Sequence, residues 1–302
     1  MTVYQQINTN KRKSVFLVML FIAFVLGIGF FIGEYYGDGG GIGGLMLATV
    51  IATFMTLLSL FAGDKVSLLS AGAKEIRKED NPYVWRLVEN LSITAGLPMP
   101  RIYLINDPIM NAFATGRNPK KASIALTTGI VEGLENEELE GVIAHELSHI
   151  KNYDTRLMMI VVILVGTIAL LAEGMWHVRW LRGGRNKNSG SIELIFMAIG
   201  FALIILSPII AELIKMAISR KREFLADASA VLLTRYAAGL KNALLKIDQQ
   251  SGKMLHANNA TAHLYIANPF GADRRTKTKK WLGSLFSTHP PIAARIEALA
   301  KM

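Results

Sequence analysis

The chain has 302 residues, a formal net charge of +10, 51% apolar residues and no cysteine, and its mean hydropathy is +0.34. Without thiols it has no disulfides, thiolate metal ligands or cysteine nucleophile, which fits a reducing compartment. The basic residues sit beside apolar runs, as in Lys11, Arg12, Lys13 and Arg220, Lys221, Arg222, with no interleaved aromatics, and this favours a membrane surface over nucleic acid.

Residues 14–32 and 39–63 carry no charge, and each run is long enough to span a bilayer. Together they predict a transmembrane hairpin over 14–63; a signal peptide has a shorter apolar core. Gly39, Gly40, Gly41, Gly43 and Gly44 read as its turn and the loose start of the second helix, with a GxxxG packing face as the alternative use. The loop at 33–38 lacks Lys and Arg while both flanks are basic. The amino terminus and everything after Asp64 are therefore expected in the cytoplasm.

Residues 64–156 read as a mixed α+β part. A helix is predicted over 82–96, with Val84, Leu87, Val88 and Leu91 on one face. Short strands are predicted over 101–105, 112–115 and 123–127, the last two separated by the turn residues Gly116, Arg117, Asn118 and Pro119. A helix over 135–150 follows, acidic in its first turn. Runs 157–172 and 194–211, the second broken by Pro208, predict another membrane-crossing or membrane-buried hairpin over 157–212. Its loop carries Arg179, Arg182, Arg185 and Lys187, against the orientation set by the first hairpin. Residues 213–302 read as a helical cytoplasmic part, interrupted over about 251–287 by a polar, basic and mobile stretch.

The chemistry concentrates in His145, Glu146, Leu147, Ser148, His149. Two histidines at i and i+4 share one helical face, so both imidazoles reach a single zinc ion, and Glu146 lies beside them to accept a proton from water. A catalytic zinc takes a third protein ligand. Glu223 and Asp227, again at i and i+4, are candidates for ligand and histidine-orienting carboxylate. Spacing alone equally allows a solvated face of Arg–Glu pairs.

The runs H-E-L-S-H-I-K-N-Y-D, S-R-K-R-E-F-L-A-D, N-A-F-A-T-G and T-H-P-P, in that family's order along nearly the whole chain, resemble the HtpX family. These are membrane-bound zinc metalloproteases related to the prenyl endopeptidases that process CAAX proteins. The resemblance implies an α-helical membrane protein of about four transmembrane helices, with a zincin-like α+β domain whose small sheet lies beside the H-E-x-x-H helix. It implies one zinc ion held by His145, His149 and Glu223, with Glu146 as base and Asp227 beside a ligand histidine. It adds His289 and Asn111 as donors to the oxyanion of the attacked carbonyl, and Asp154 as a second orienting residue. It gives His177, His256 and His263 no role. Substrate is expected extended along an exposed strand at Ala112, Phe113, Ala114 and Thr115, read by backbone pairing and so with broad specificity. The implied partners are protein and peptide substrates, this chain itself among them, and the lipid bilayer. The implied setting is the bacterial inner membrane, with the active site facing the cytoplasm and clearing misfolded or membrane proteins. Two other classes compete. A metal-relay transporter needs ionisable residues within its apolar runs, which have none, and a catalytically inactive scaffold has no need of Glu146.

Overall fold

A computed structural model describes residues 3–36, 41–161, 220–250, 252–257, 261–271 and 291–302. The two amino-terminal apolar runs form helices longer than themselves, α1 (Val3–Tyr36) and α2 (Gly41–Ser70), which pack along each other. Their polar flanks continue the helices, so α1 carries Asn10 and its three basic neighbours to the protein side. Gly29 and Gly44 face each other across the pair, where a Cβ on Gly29 would overlap Ala48 and the Gly44 carbonyl. Of the glycine cluster, Gly44 therefore serves close helix packing, as small residues do in membranes. Among the described residues, α2 is the helix whose length and apolarity suit a membrane crossing. Of the expected second hairpin only 157–161 is described, and it is helical.

After α2 the chain adds β1 (Ala73–Glu75) and α3 (Pro82–Ala95). α3 begins where Asn81 accepts a hydrogen bond from the Val84 amide at 3.0 Å and stops at Gly96, whose φ of 66° is one that glycine adopts without strain. Next come β2 (Arg101–Ile105), β3 (Ala112–Gly116), β4 (Ala122–Thr127), α4 (Thr128–Gly133) and α5 (Asn136–Lys151). The sheet order is β1-β2-β4-β3, with β2 and β4 parallel and the outer pairs antiparallel. Thus β3, predicted as an exposed strand, is an edge strand whose every residue is buried. Both sheet faces are covered. Ala114 and Ile124 join a core with α3 and α5, while Phe113 and Ala125 meet Leu68, Met158 and Tyr265.

α5 is the central helix, opened by reciprocal Glu135–Glu138 capping. α6 (Arg220–Thr234), α7 (Ala237–Gln249) and α8 (Ile292–Leu299) complete the protein side of the fold around it. The stretch read as mobile over about 251–287 is packed in its described parts. Leu264, Tyr265 and Ile266 are buried, and the Ile266 amide donates to the Ala112 carbonyl at 2.9 Å. An apolar triplet inside a polar run escaped the composition-based reading.

α5 and α7 cross at Gly141, where a Cβ would lie 2.7 Å from the Leu240 nitrogen and 2.8 Å from its Cα. Both neighbours are backbone and cannot yield, so Gly141→Val will cost about 1–3 kcal/mol through overpacking. Thermal unfolding in detergent measures this, and an unchanged transition would show that the helices can part without cost.

Candidate metal centre

α5 presents His145 and His149 one turn apart on the same face. Their Nε2 atoms are 3.1 Å apart and their rings meet edge to face. α6 crosses α5 and brings in Glu223, with Oε2 3.7 Å from His145 Nε2 and Oε1 3.5 Å from His149 Nε2. All three are buried, and one ligand atom from each lies within 4.8 Å of the others. Two zinc–nitrogen bonds of about 2.0–2.1 Å at a tetrahedral angle separate the nitrogens by about 3.3 Å, so the spacing fits a zinc ion. Two imidazoles and one carboxylate are also a donor set of catalytic zinc with a position left for reactants.

Each imidazole is fixed at its other nitrogen. Asp227 Oδ1 lies 2.9 Å from His145 Nδ1, and Asp154 Oδ2 lies 3.0 Å from His149 Nδ1. A carboxylate there keeps the proton on Nδ1 and turns the Nε2 lone pair inward. Asp154 reaches His149 through a sharp turn after α5, with Tyr153 left-handed at φ 60°.

Two lone pairs this close need a cation between them, either a proton or a metal. The ionisation reflects that. Burial opposes a charge on His149, but the carboxylates of Glu223 and Asp154 overcome it and raise its pKa to about 9. Burial and then Arg295 lower His145 to about 4. For Asp227 burial acts upward, but Arg295 and His145 outweigh it and hold the acid at about 2. Burial, against the pull of His149 and with help from Glu223, raises Glu146 to about 7, and the Ala114 amide donates to its carboxylate.

Sequence reasoning missed Arg295. Its side chain is fully buried in α8, with Nε 2.9 Å and one terminal nitrogen 2.6 Å from the two Asp227 oxygens. The other terminal nitrogen is 3.8 Å from Glu223 Oε2. A signal was available: Arg295 stands within the apolar stripe of Ile292, Ile296 and Leu299, where a lone cation requires a buried acid.

Of the other expected site residues, Asn111 lies immediately before β3. Its amide nitrogen donates to the Ala267 carbonyl at 2.9 Å, and its oxygen accepts from the Ala267 amide at 3.2 Å. The amide expected to face an oxyanion is thus bonded to the returning chain, whose peptide group matches it donor for acceptor. His289 and His177 lie outside the described residues. The His263 ring contacts the Met158 carbonyl at 3.2 Å, away from the three ligands in sequence and partner.

Comparison with known proteins agrees with this geometry. The model of peptidase family M48 matches residues 78–302. A protease HtpX homolog of Streptococcus thermophilus is 41% identical over 307 residues, covering 99% of both chains. A protease HtpX homolog of Listeria monocytogenes is 43% identical over 309 residues, again 99% of both. The crystal structure of S. mikatae Ste24p shares the fold at 22% identity with a TM-score of 0.50, covering 98% of this chain and 66% of that one. With H-E-x-x-H on a buried helix and full-length relatives of the HtpX type, this chain is a metalloprotease belonging to peptidase family M48.

Proposed function

We propose that the chain is a zinc endopeptidase of the bacterial cytoplasmic membrane that hydrolyses misfolded or membrane proteins at the cytoplasmic face. The observation that carries this reading is the convergence of His145, His149 and Glu223 with Glu146 beside them in one buried site. Exposed Val15, Phe16, Leu47, Val50, Phe54 and Phe61 along α1 and α2 support membrane residence, since lipid is the medium in which such a surface is stable.

Zinc bound there would supply Lewis acidity, polarising the scissile carbonyl and making water acidic enough to lose a proton near neutral pH. Glu146 takes that proton as water attacks and passes it to the leaving amine. Burial, which raises the Glu146 carboxyl above the ordinary carboxylate range in the metal-free site, works against the pull a bound cation would exert and keeps the group basic enough for that exchange. Asp227 and Asp154 keep both imidazoles in the ligand tautomer. Substrate pairs with β3 over Ala112, Phe113, Ala114 and Thr115 once Ile266 gives up the Ala112 carbonyl and uncovers the buried edge, and His289 donates to the developing oxyanion. Asn111 joins it once Ala267 releases the amide.

The test is zinc dependence. Protein purified in detergent and stripped by chelator should not cleave casein, and zinc should restore cleavage at about one ion per chain. Cleavage that survives complete stripping would remove the assignment.

A further inference from the structure

The turn that brings Asp154 to His149 is gripped from its far side by the first helix. Asn10 of α1 is buried, with 2% of its surface exposed. Its amide nitrogen donates to the Asn152 carbonyl at 2.9 Å and to Asp154 Oδ1 at 2.7 Å. The next residue, Lys11, places its ammonium 4.8 Å from the centre of the Tyr153 ring. Two successive residues of α1 thus hold the turn, Asn10 at 152 and 154 and Lys11 at 153. The middle one, Tyr153, has a left-handed backbone that costs a non-glycine residue about 1–2 kcal/mol and persists only where its surroundings enforce it. The Asp154 oxygen that Asn10 holds also meets Arg222 at 3.3 Å, and the other is 3.0 Å from His149 Nδ1.

We infer that Asn10 is a positioning residue for the metal centre: through Asp154 it fixes the ring and tautomer of His149, so the amino-terminal helix sets the affinity of the site for zinc. The inference rests on the zinc reading above. Asparagine suits the task because one NH₂ group offers two donors to two acceptors, whereas a carboxylate at position 10 would repel Asp154. The Ser14 hydroxyl bonds back to the Asn10 carbonyl within α1, 2.9 Å long and buried. Displacement of α1 therefore reaches the centre through two hydrogen bonds.

A purely structural role for Asn10 makes a different prediction, and Leu17 separates the two. Leu17 docks the same helix on Leu157, Ile160 and Val161 without contacting the turn. Zinc affinity of the full chain in detergent, by competition with a chromophoric chelator, should fall about 10-fold in Asn10→Ala, the lower end for partners outside the ligand shell. Asn10→Ser, which restores one donor, should lie between. Leu17→Ala should lower the unfolding temperature and leave zinc affinity unchanged. Cleavage at saturating zinc should largely recover in Asn10→Ala. Equal zinc affinity in Asn10→Ala and wild type, or affinity that merely follows unfolding temperature across all three variants, overturns the inference. Wild type that binds no zinc overturns the metal reading instead.

Discussion

Glu146→Gln will keep the metal and lose the chemistry. The substitution is nearly isosteric and spares His145, His149 and Glu223, so zinc affinity should stay within a few-fold of wild type. Casein cleavage should fall by about 10²–10⁴-fold, the contribution of a positioned general base. The same variant has a second, opposite signature in chelated protein. Glu146 has a folded pKa of about 7 against an ordinary 4.5, so the folded protein holds this proton more tightly than the unfolded chain. The associated stability is complete below about 4.5 and is lost as pH rises through about 7. Glutamine never ionises, so the chelated variant should unfold at a higher temperature than wild type at pH 8, with the gap closing towards pH 4.5. A variant no more stable at pH 8 would mean that the buried carboxylate is solvated after all. Cleavage equal to wild type would remove Glu146 from the reaction.

Arg295→Leu should be the most damaging change on the carboxy-terminal helix. It leaves Asp227 with no exposure and stripped of both guanidinium contacts, so the acid must stay charged without its partner or take up a proton. Breaking a buried pair from one side costs about 3–5 kcal/mol, while replacing both partners with apolar groups can be nearly neutral. The double variant Asp227→Leu/Arg295→Leu should therefore regain most of the stability. It should not regain the metal, because His145 has lost the acceptor at Nδ1, a loss worth about 10–100-fold in affinity. Denaturation and zinc titration of the four proteins of this cycle separate the two effects. A stable single variant would show that the ion pair is not what holds α8 in place.

What the sequence made legible was local. His145 with His149 follows from helical spacing, and Glu223 with Asp227 from spacing joined to the family resemblance; α3 and the strands β2, β3 and β4 follow from residue patterns within a residue or so of their observed ends. Non-local features stayed hidden. β1 has three residues and no strand pattern of its own; it exists because β2 offers it an open edge. Arg295 is 68 positions from the aspartate it neutralises, and Asn10 is 144 from the one it holds. No periodicity spans such distances. Asn111 shows the converse: its motif marks it as a donor, and the fold adds that Ala267 receives the amide.

The order in which the ribosome delivers these parts now matters. Chains fold progressively during synthesis, amino-terminal parts first. Asn10 emerges first, the two histidines and Glu223 follow, and Arg295, the counter-charge for Asp227, comes after all of them. A nascent chain halted before Arg295 thus holds all three metal ligands, yet one orienting carboxylate has no cation to keep it buried. The counter-charge is thus delivered after the ligands, and an unfinished chain lacks the contact that holds Asp227 beside His145.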